Sequence, residues 1–284
     1  MSSAGLYYIA TGEAYANEAC QSARRAREVM PEIDIAIATD QGIDGDVFDK
    51  IIEIENPEYS FRDQLKYIDQ SPFENTLNID TDIYIDNDVS CLFSLLDQFD
   101  IGAVINPQRP TFDICDIPES FPEYNTGVVL FKNSSSFSDF VERWRSEYSR
   151  LQDRRGIIHN QPSFRNALYK DNIRIVTLPP EYNCVLWRPG QVSGPVKIFH
   201  GRFSRNEAIS GMNYSLDIEN ISKTLNRTHQ PRTFTQLGGF KMHSNRTDSL
   251  LHRARVAYRY EGIGFIISRS YHKMKQTFKD MKPT

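Results

Sequence analysis

The chain has 284 residues, of which 39% are hydrophobic and 25% are charged, and its net charge is −4. These values are ordinary for a soluble globular protein, and the absence of any apolar run near the ~20 residues needed to cross a bilayer excludes a membrane-spanning protein. The first residues do not combine a basic segment with a long apolar run, so we predict a cytoplasmic location.

Short apolar runs alternate with segments of helical periodicity along the first 201 residues. Since strands that alternate with helices favour a parallel sheet covered on both faces, we predict an α/β fold with a mixed, mostly parallel sheet flanked by helices. Strands are predicted at residues 5–10, 34–40, 50–55, 76–86, 101–105, 124–133, 173–179 and 196–201, and helices at 12–30, 60–68, 89–99, 136–152 and 161–170.

Two aspartates, Asp80 and Asp82, follow the apolar residues 77–79 inside the fourth predicted strand. Side chains alternate along a strand, so both carboxylates would point to one face and would repel each other without a cation between them. Hard oxygen ligands suit Mn²⁺ or Mg²⁺, which also bridge phosphate oxygens. The alternative is an acidic strand end at the surface without a ligand.

An ordered set of short motifs surrounds this pair. The chain carries ATGEAYA at 10–16, LNIDTDIYI at 77–85, YNTGVVLFKN at 124–133, NQPSFRNAL at 160–168, LPPEYNC at 178–184 and IFHGR at 198–202. Together these motifs resemble the GT-A glycosyltransferases, most closely the retaining family that contains glycogenin and the bacterial lipooligosaccharide galactosyltransferases. The resemblance implies a Rossmann-like nucleotide-sugar-binding domain over residues 1–225.

The resemblance also implies site residues. The implied metal ligands are Asp80, Asp82 and His200. Donor contacts are expected from the side chains that match the family's nucleotide, phosphate and sugar positions. They are Thr11, Tyr15, Arg62, Lys66, Asp80, Asn125, Thr126, Gly127, Asn160 and Arg202. Catalytic roles fall to Gln161 beside the anomeric carbon, to Asp82 and to Arg62.

Two residues depart from the family pattern. Asn160 stands where the family usually has an aspartate that binds a sugar hydroxyl, so the sugar preference is expected to differ. Arg202 stands in place of a later lysine, and its planar guanidinium would suit a diphosphate.

The implied reaction is transfer of a sugar from a nucleotide-diphosphate donor, for which UDP is the first candidate, to a hydroxyl on a glycan or a lipid-linked glycan. The resemblance implies retention of configuration, but a carboxylate of the 107–123 loop could serve as the base of an inverting enzyme. The candidates are Asp113, Asp116, Glu119 and Glu123. Two other functions stay open, namely a non-catalytic sugar-nucleotide or carbohydrate-binding protein and a sugar-1-phosphate nucleotidyltransferase.

The C-terminal part has a different composition. From Lys223 to Thr284 the chain carries 13 basic and 3 acidic residues, whereas the remainder is acidic. We predict a basic linker followed by an amphipathic helical extension over residues 226–284. This helix would lie on an anionic membrane surface or pack on the acidic body. No nucleic-acid-binding module is recognisable.

Overall fold

The computed structural model describes residues 3–43, 46–107, 114, 117–202, 216–228 and 230–235, together with the backbone of 241–244. The part of the predicted C-terminal extension beyond residue 244 lies outside these residues, and so do Asp113 and Asp116 of the 107–123 loop. No helix in the described part of the chain is long and apolar enough to cross a membrane.

A seven-stranded sheet forms the centre of the protein. The described strands are β1 (Ala4–Ala10), β2 (Asp34–Thr39), β3 (Lys50–Glu53), β4 (Asn75–Ile79), β5 (Ile83–Ile85), β6 (Ile101–Ile105), β7 (Tyr124–Lys132), β8 (Ile175–Leu178), β9 (Cys184–Val185), β10 (Gly190–Val192), β11 (Ile198–His200), β12 (Arg232–Thr235) and β13 (Lys241–Ser244). The central order is β3-β2-β1-β4-β7-β6-β8, and only β7 runs antiparallel to its neighbours. The predicted mixed, mostly parallel sheet is confirmed.

Helices cover both faces of this sheet. The described helices are α1 (Glu13–Val29), α2 (Phe61–Tyr67), α3 (Ser135–Arg155), α4 (Asn160–Lys170) and α5 (Ile218–Leu225), with 3₁₀ segments at Ile68–Gln70, Ser90–Asp97 and Pro180–Tyr182. Of these, α5 packs on the smaller sheets. Local residues explain the ends of α2 and α3. A capping box between Ser60 and Asp63 starts α2, while Ser134 caps α3 and Gly156 ends it in the left-handed conformation.

Two large apolar clusters lie on opposite faces of the sheet. One joins the strands to α1 and the 3₁₀ segment Ser90–Asp97, and the other joins them to α3 and α4. Trp144 on α3 is fully buried, and its indole N–H donates hydrogen bonds to the carbonyl of Asn160 and the hydroxyl of Ser163. These contacts fix the start of α4, which carries two of the predicted site residues, against α3.

Three sequence-based assignments were wrong in detail. The predicted strand at 76–86 is two strands, because the chain turns at residues 81 and 82 between β4 and β5. β5 leaves the central sheet and forms a three-stranded sheet in the order β5-β11-β9. The predicted helix at 89–99 is the 3₁₀ segment Ser90–Asp97.

The third correction concerns the segment that the sequence marks as a linker. It contains β12 and β13, which form a three-stranded sheet with β10. Phe234 of β12 is buried in an apolar cluster with Val192, Phe199 and Leu225. Residues 232–235 therefore pack on the preceding chain, whereas the domain boundary at residue 225 stays a prediction.

Candidate active site

Asp80, Asp82 and His200 converge at the carboxyl end of β4. The Nε2 atom of His200 lies 3.2 Å from Asp82 Oδ1 and 3.7 Å from Asp80 Oδ2. One potential ligand atom from each of the three side chains lies within 4.8 Å of the others. Two carboxylates and an imidazole at such spacing are a donor set that could hold a divalent cation.

Backbone pairing brings these residues together from distant parts of the chain. Asp80 directly follows β4, and its N–H donates to the carbonyl of Gly127 in β7 at 2.9 Å. In the three-stranded sheet β5-β11-β9, His200 is opposite Ile83 in the antiparallel pairing of β11 with β5. Next to this pair, the N–H of Gly201 donates to the carbonyl of Asp82 at 3.0 Å. The site is thus built where the two sheets meet.

The His200 ring is held in one orientation. Its Nδ1 lies 2.8 Å from Asn183 Oδ1, and the Nδ2 of Asn183 donates in turn to Asn125 Oδ1 at 2.8 Å. Trp187 packs edge-on against the ring, with centroids 4.5 Å apart. Asn183 Oδ1 can accept a hydrogen bond from Nδ1–H, which leaves Nε2 facing the two aspartates, and in the neutral ring Nε2 would offer its lone pair to a cation.

The charges of the cluster are unbalanced. Desolvation raises the pKa of Asp80, and the neighbouring Asp82 carboxylate acts in the same direction, although 38% of the Asp80 side chain reaches solvent. Burial alone would raise the pKa of Asp82 and lower that of His200. Their mutual attraction outweighs it, so the pKa of Asp82 is lowered and that of His200 raised. A bound cation would relieve the repulsion between the aspartates.

Gly127 allows this close approach. A methyl group added at its Cα would overlap the ring of His200 and would lie 2.8 Å from Asp80 Oδ2. Glycine is therefore required here for space.

A hydrogen-bond chain connects the cluster to the start of α4. Thr126 donates to Asn160 Oδ1 at 3.0 Å, and the Nδ2 of Asn160 donates to Gln64 Oε1. Gln64 Nε2 then lies 3.5 Å from Asp80 Oδ1. Next to Asn160, the amide oxygen of Gln161 is buried and accepts no hydrogen bond from the described residues. Such an oxygen is a candidate acceptor for a ligand hydroxyl.

The predicted nucleotide-contacting residues lie at the end of β1 and the start of α1. Thr11 donates to Asp63 Oδ2 at 3.0 Å, and Tyr15 keeps 40% of its surface exposed. The guanidinium of Arg202 lies 5.7 Å from the centroid of the Tyr15 ring, and its Nη1 lies 3.4 Å from Glu18 Oε1. Tyr15 and Arg202 therefore form one surface beside the cluster.

Arg62 and Lys66 have other contacts among the described residues. Arg62 donates to Gln152 Oε1 of α3, with its Nε at 3.0 Å, and lies 3.7 Å from Glu58. The ammonium of Lys66 lies 5.4 Å from the centroid of the Tyr67 ring. The donor roles of Arg62 and Lys66 stay predictions.

Three residues at the site were given no role by the sequence analysis. Asn183 lies inside the LPPEYNC motif, which was the available signal for it. Gln64 stands between Arg62 and Lys66, but a glutamine on a short helix is a weak signal. Glu18 is 1% exposed on α1, where a charged residue is normally expected to face solvent. Of the loop carboxylates, Glu123 is buried and accepts a hydrogen bond from Asn106 at 2.9 Å.

Comparisons with known proteins establish the fold. No protein-family model and no curated protein matches the sequence. The structure is similar to the galactosyltransferase LgtC in complex with donor and acceptor sugar analogues, with a TM-score of 0.52 and 13% identity over 79% of this chain and 96% of that chain.

Two further solved structures agree. An active-site mutant of LgtC has a TM-score of 0.53 and 12% identity over 86% of this chain and 99% of that chain. The glycosyltransferase GlyE of Streptococcus pneumoniae TIGR4 has a TM-score of 0.51 and 14% identity over 78% of this chain and 60% of that chain. The predicted structural resemblance to GT-A glycosyltransferases is confirmed.

Proposed function

We propose that this protein is a metal-dependent glycosyltransferase that moves a sugar from a nucleotide-diphosphate donor, with UDP as the first candidate nucleotide, to a hydroxyl acceptor. The observation that carries the proposal is the convergence of Asp80, Asp82 and His200 within 4.8 Å at the carboxyl end of β4. Ligands of open α/β sheets bind at this edge. The fold shared with LgtC supports the same assignment.

The residues of the cluster fit a divalent cation. Asp80 and Asp82 offer hard oxygen ligands, and His200 offers a nitrogen whose lone pair is directed by Asn183. Mn²⁺ and Mg²⁺ both suit this donor set. When bound, such a cation would neutralise negative charge on the departing nucleotide diphosphate.

The side chains around the cluster would bind and orient the donor. Tyr15 presents an exposed ring on which the nucleobase would stack, and Thr11 would lie beside the nucleoside. Arg202 carries a permanent positive charge next to that ring and fits the diphosphate. Arg62 and Lys66 are proposed to reach the donor phosphates or sugar from α2 once their present contacts are exchanged.

The donor sugar is proposed to lie against the start of α4 and β7. Asn125, Thr126 and Gly127 would border it, with the small residues allowing close approach. The buried oxygen of Gln161, which accepts no hydrogen bond from the described residues, would accept one from a sugar hydroxyl or stabilise positive charge near the anomeric carbon. An amide is a poor nucleophile, so Gln161 acts as a polar neighbour, and we propose a retaining reaction. Asn160 would bind a sugar hydroxyl in place of the usual aspartate.

The acceptor is proposed to be a glycan or a lipid-linked glycan. The part of the basic C-terminal segment beyond residue 244, which lies outside the described residues, would bring the enzyme to the inner face of an anionic membrane in that case. This membrane association rests on sequence composition.

Donor hydrolysis tests the proposed function directly. Purified protein incubated with Mn²⁺ and a panel of nucleotide sugars should release the nucleoside diphosphate from one of them, and EDTA should stop the release until excess Mn²⁺ is added back. The measurement is the rate at which the nucleoside diphosphate is released. Binding of a nucleotide sugar without release would favour the non-catalytic binding protein instead.

Asn183 supplies a second prediction. Asn183→Ala removes the acceptor that orients His200, so Mn²⁺ affinity should fall about 10–100-fold, as is typical when the partner of a ligand histidine is lost. Titration followed by electron paramagnetic resonance would measure it. Asn78→Ala is the matched control, since Asn78 is also buried but its amide donates to the carbonyl of Tyr7 and makes no hydrogen bond to His200. Equal affinities in the two variants would contradict the proposed orientation of His200.

A further inference from the structure

Glu18 is a buried carboxylate that the proposed mechanism does not use. It lies on α1 with 1% of its surface exposed, and the other buried residues of this helix include Ala16, Ala19 and Ser22. Burial raises the pKa of Glu18, and the hydrogen bond from Thr81 works against this rise. A carboxylate at such a position is unfavourable unless it is paired and hydrogen-bonded, so its partners reveal its role.

The two oxygens of Glu18 contact two different elements. Oε2 accepts a hydrogen bond from the hydroxyl of Thr81 at 2.5 Å, and Oε1 lies 3.4 Å from Nη1 of Arg202. Thr81 separates Asp80 from Asp82 in the turn after β4, and Arg202 follows His200 by two residues. One side chain therefore connects the turn that carries both aspartates to the segment that carries the histidine.

This connection also determines where Arg202 lies. Tyr15 and Glu18 are three residues apart on α1 and thus neighbours on one helix face. The guanidinium of Arg202 contacts both residues: it forms an ion pair with Glu18 and lies over the ring of Tyr15. Without Glu18, the long arginine side chain would lose its charged partner on the helix and sample more rotamers.

Charge gives a second reason to connect Glu18 to the cation. Asp80, Asp82 and Glu18 bring three carboxylates to the site, while Arg202 brings one permanent positive charge and His200 is neutral as a metal ligand. Once all three carboxylates are ionised, the group has two excess negative charges, which one divalent cation balances. Removal of the Glu18 charge would leave a less attractive site.

We propose that Glu18 is a positioning residue for the cation and the donor diphosphate, acting through Thr81 on the two aspartates and through Arg202 on the phosphates. This inference rests on the proposed function.

Binding of Mn²⁺ alone, measured by electron paramagnetic resonance, tests the inference without turnover. Glu18→Gln keeps the volume and an oxygen for Thr81 but removes the charge, and its Mn²⁺ dissociation constant should rise about tenfold while thermal stability is kept. Thr81→Val removes the hydroxyl and should raise the constant at least threefold. Ser22→Ala is the matched control, since Ser22 is buried one turn along α1 and hydrogen-bonds to Ile83 and Tyr8 instead. It should bind Mn²⁺ within twofold of the unaltered protein.

A double-mutant cycle separates positioning from simple stabilisation. If Glu18 acts on the donor through Arg202, Glu18→Gln should lower kcat much less in an Arg202→Lys background than in the unaltered protein. Additive losses, or a folded Glu18→Gln variant with Mn²⁺ affinity within twofold of normal, would overturn the inference while the proposed function stands. An unaltered protein that takes up no Mn²⁺ would instead remove the metal site, and the role of Glu18 with it.

Discussion

Asp82→Ala should abolish sugar transfer while leaving the protein folded. Asp82 is the aspartate nearest to His200, with 3.2 Å between Oδ1 and Nε2, and its side chain is 15% exposed. Loss of this ligand should remove the cation and its stabilisation of the leaving diphosphate. Metal ions contribute several kcal/mol to such transition states, which corresponds to a fall in kcat of at least ~1,000-fold. The rate of diphosphate release measures the effect.

The fold should survive this change because the structural contact of Asp82 is made by its backbone. Its carbonyl accepts the N–H of Gly201, and alanine keeps that hydrogen bond. Circular dichroism and a thermal melt would check the fold. Asp97→Ala serves as the control, since Asp97 is an exposed carboxylate at the end of the 3₁₀ segment Ser90–Asp97. An active Asp82→Ala variant that still requires Mn²⁺ would rule out the proposed site.

The central sheet was predictable because its signals are local. Buried strands such as β1 and the 128–131 part of β7 are continuous apolar runs, and α1 and α3 have clear helical periodicity. The local pattern does not indicate which strand each of these strands pairs with. Residues 83–85 have the same strand-like composition as the strand before them, yet they pair with β11 in another sheet. The turn at residues 81 and 82 depends on this long-range pairing, which the local sequence does not encode.

The candidate site divides in the same way. Asp80, Asp82 and His200 were proposed from the order of motifs, and the structure places them together. Glu18 was not found because a lone glutamate on a helix normally faces solvent, and nothing in the sequence indicates that Thr81 lies above it. Asn183 orients His200 across a fold contact, so its role depends on side-chain geometry that spacing does not encode.

These omissions share a physical cause. Ligand residues are restricted to a few chemical types and lie at strand ends, so sequence patterns carry them. The groups that orient the ligands need only one polar atom at the right place, which many residue types and positions can supply. Cation ligands are therefore easier to predict from a sequence than the residues that orient them.

Gly127→Ala should disable the site through steric crowding alone. Gly127 does not adopt a positive φ, so alanine causes no backbone strain of that kind. Its methyl group would overlap the ring of His200 and approach Asp80 Oδ2 to 2.8 Å. Asn183 and Trp187 contact the His200 ring on other sides, so the ring can avoid the methyl group only by leaving the position in which it would bind the cation. A displacement near 1 Å is enough for a ~100-fold loss of activity, and we expect at least this loss in donor turnover.

A second crowded glycine makes the comparison specific. Gly5→Ala would place its methyl group 2.5 Å from the ring of Phe73, inside an apolar cluster on the sheet face, so it should lower the melting temperature. The folded fraction of that variant should still bind Mn²⁺ with normal affinity, because no site residue moves. Gly127→Ala should show the reverse, with Mn²⁺ affinity lost even in folded protein. Normal Mn²⁺ binding by Gly127→Ala would mean that His200 and Asp80 do not hold the cation together.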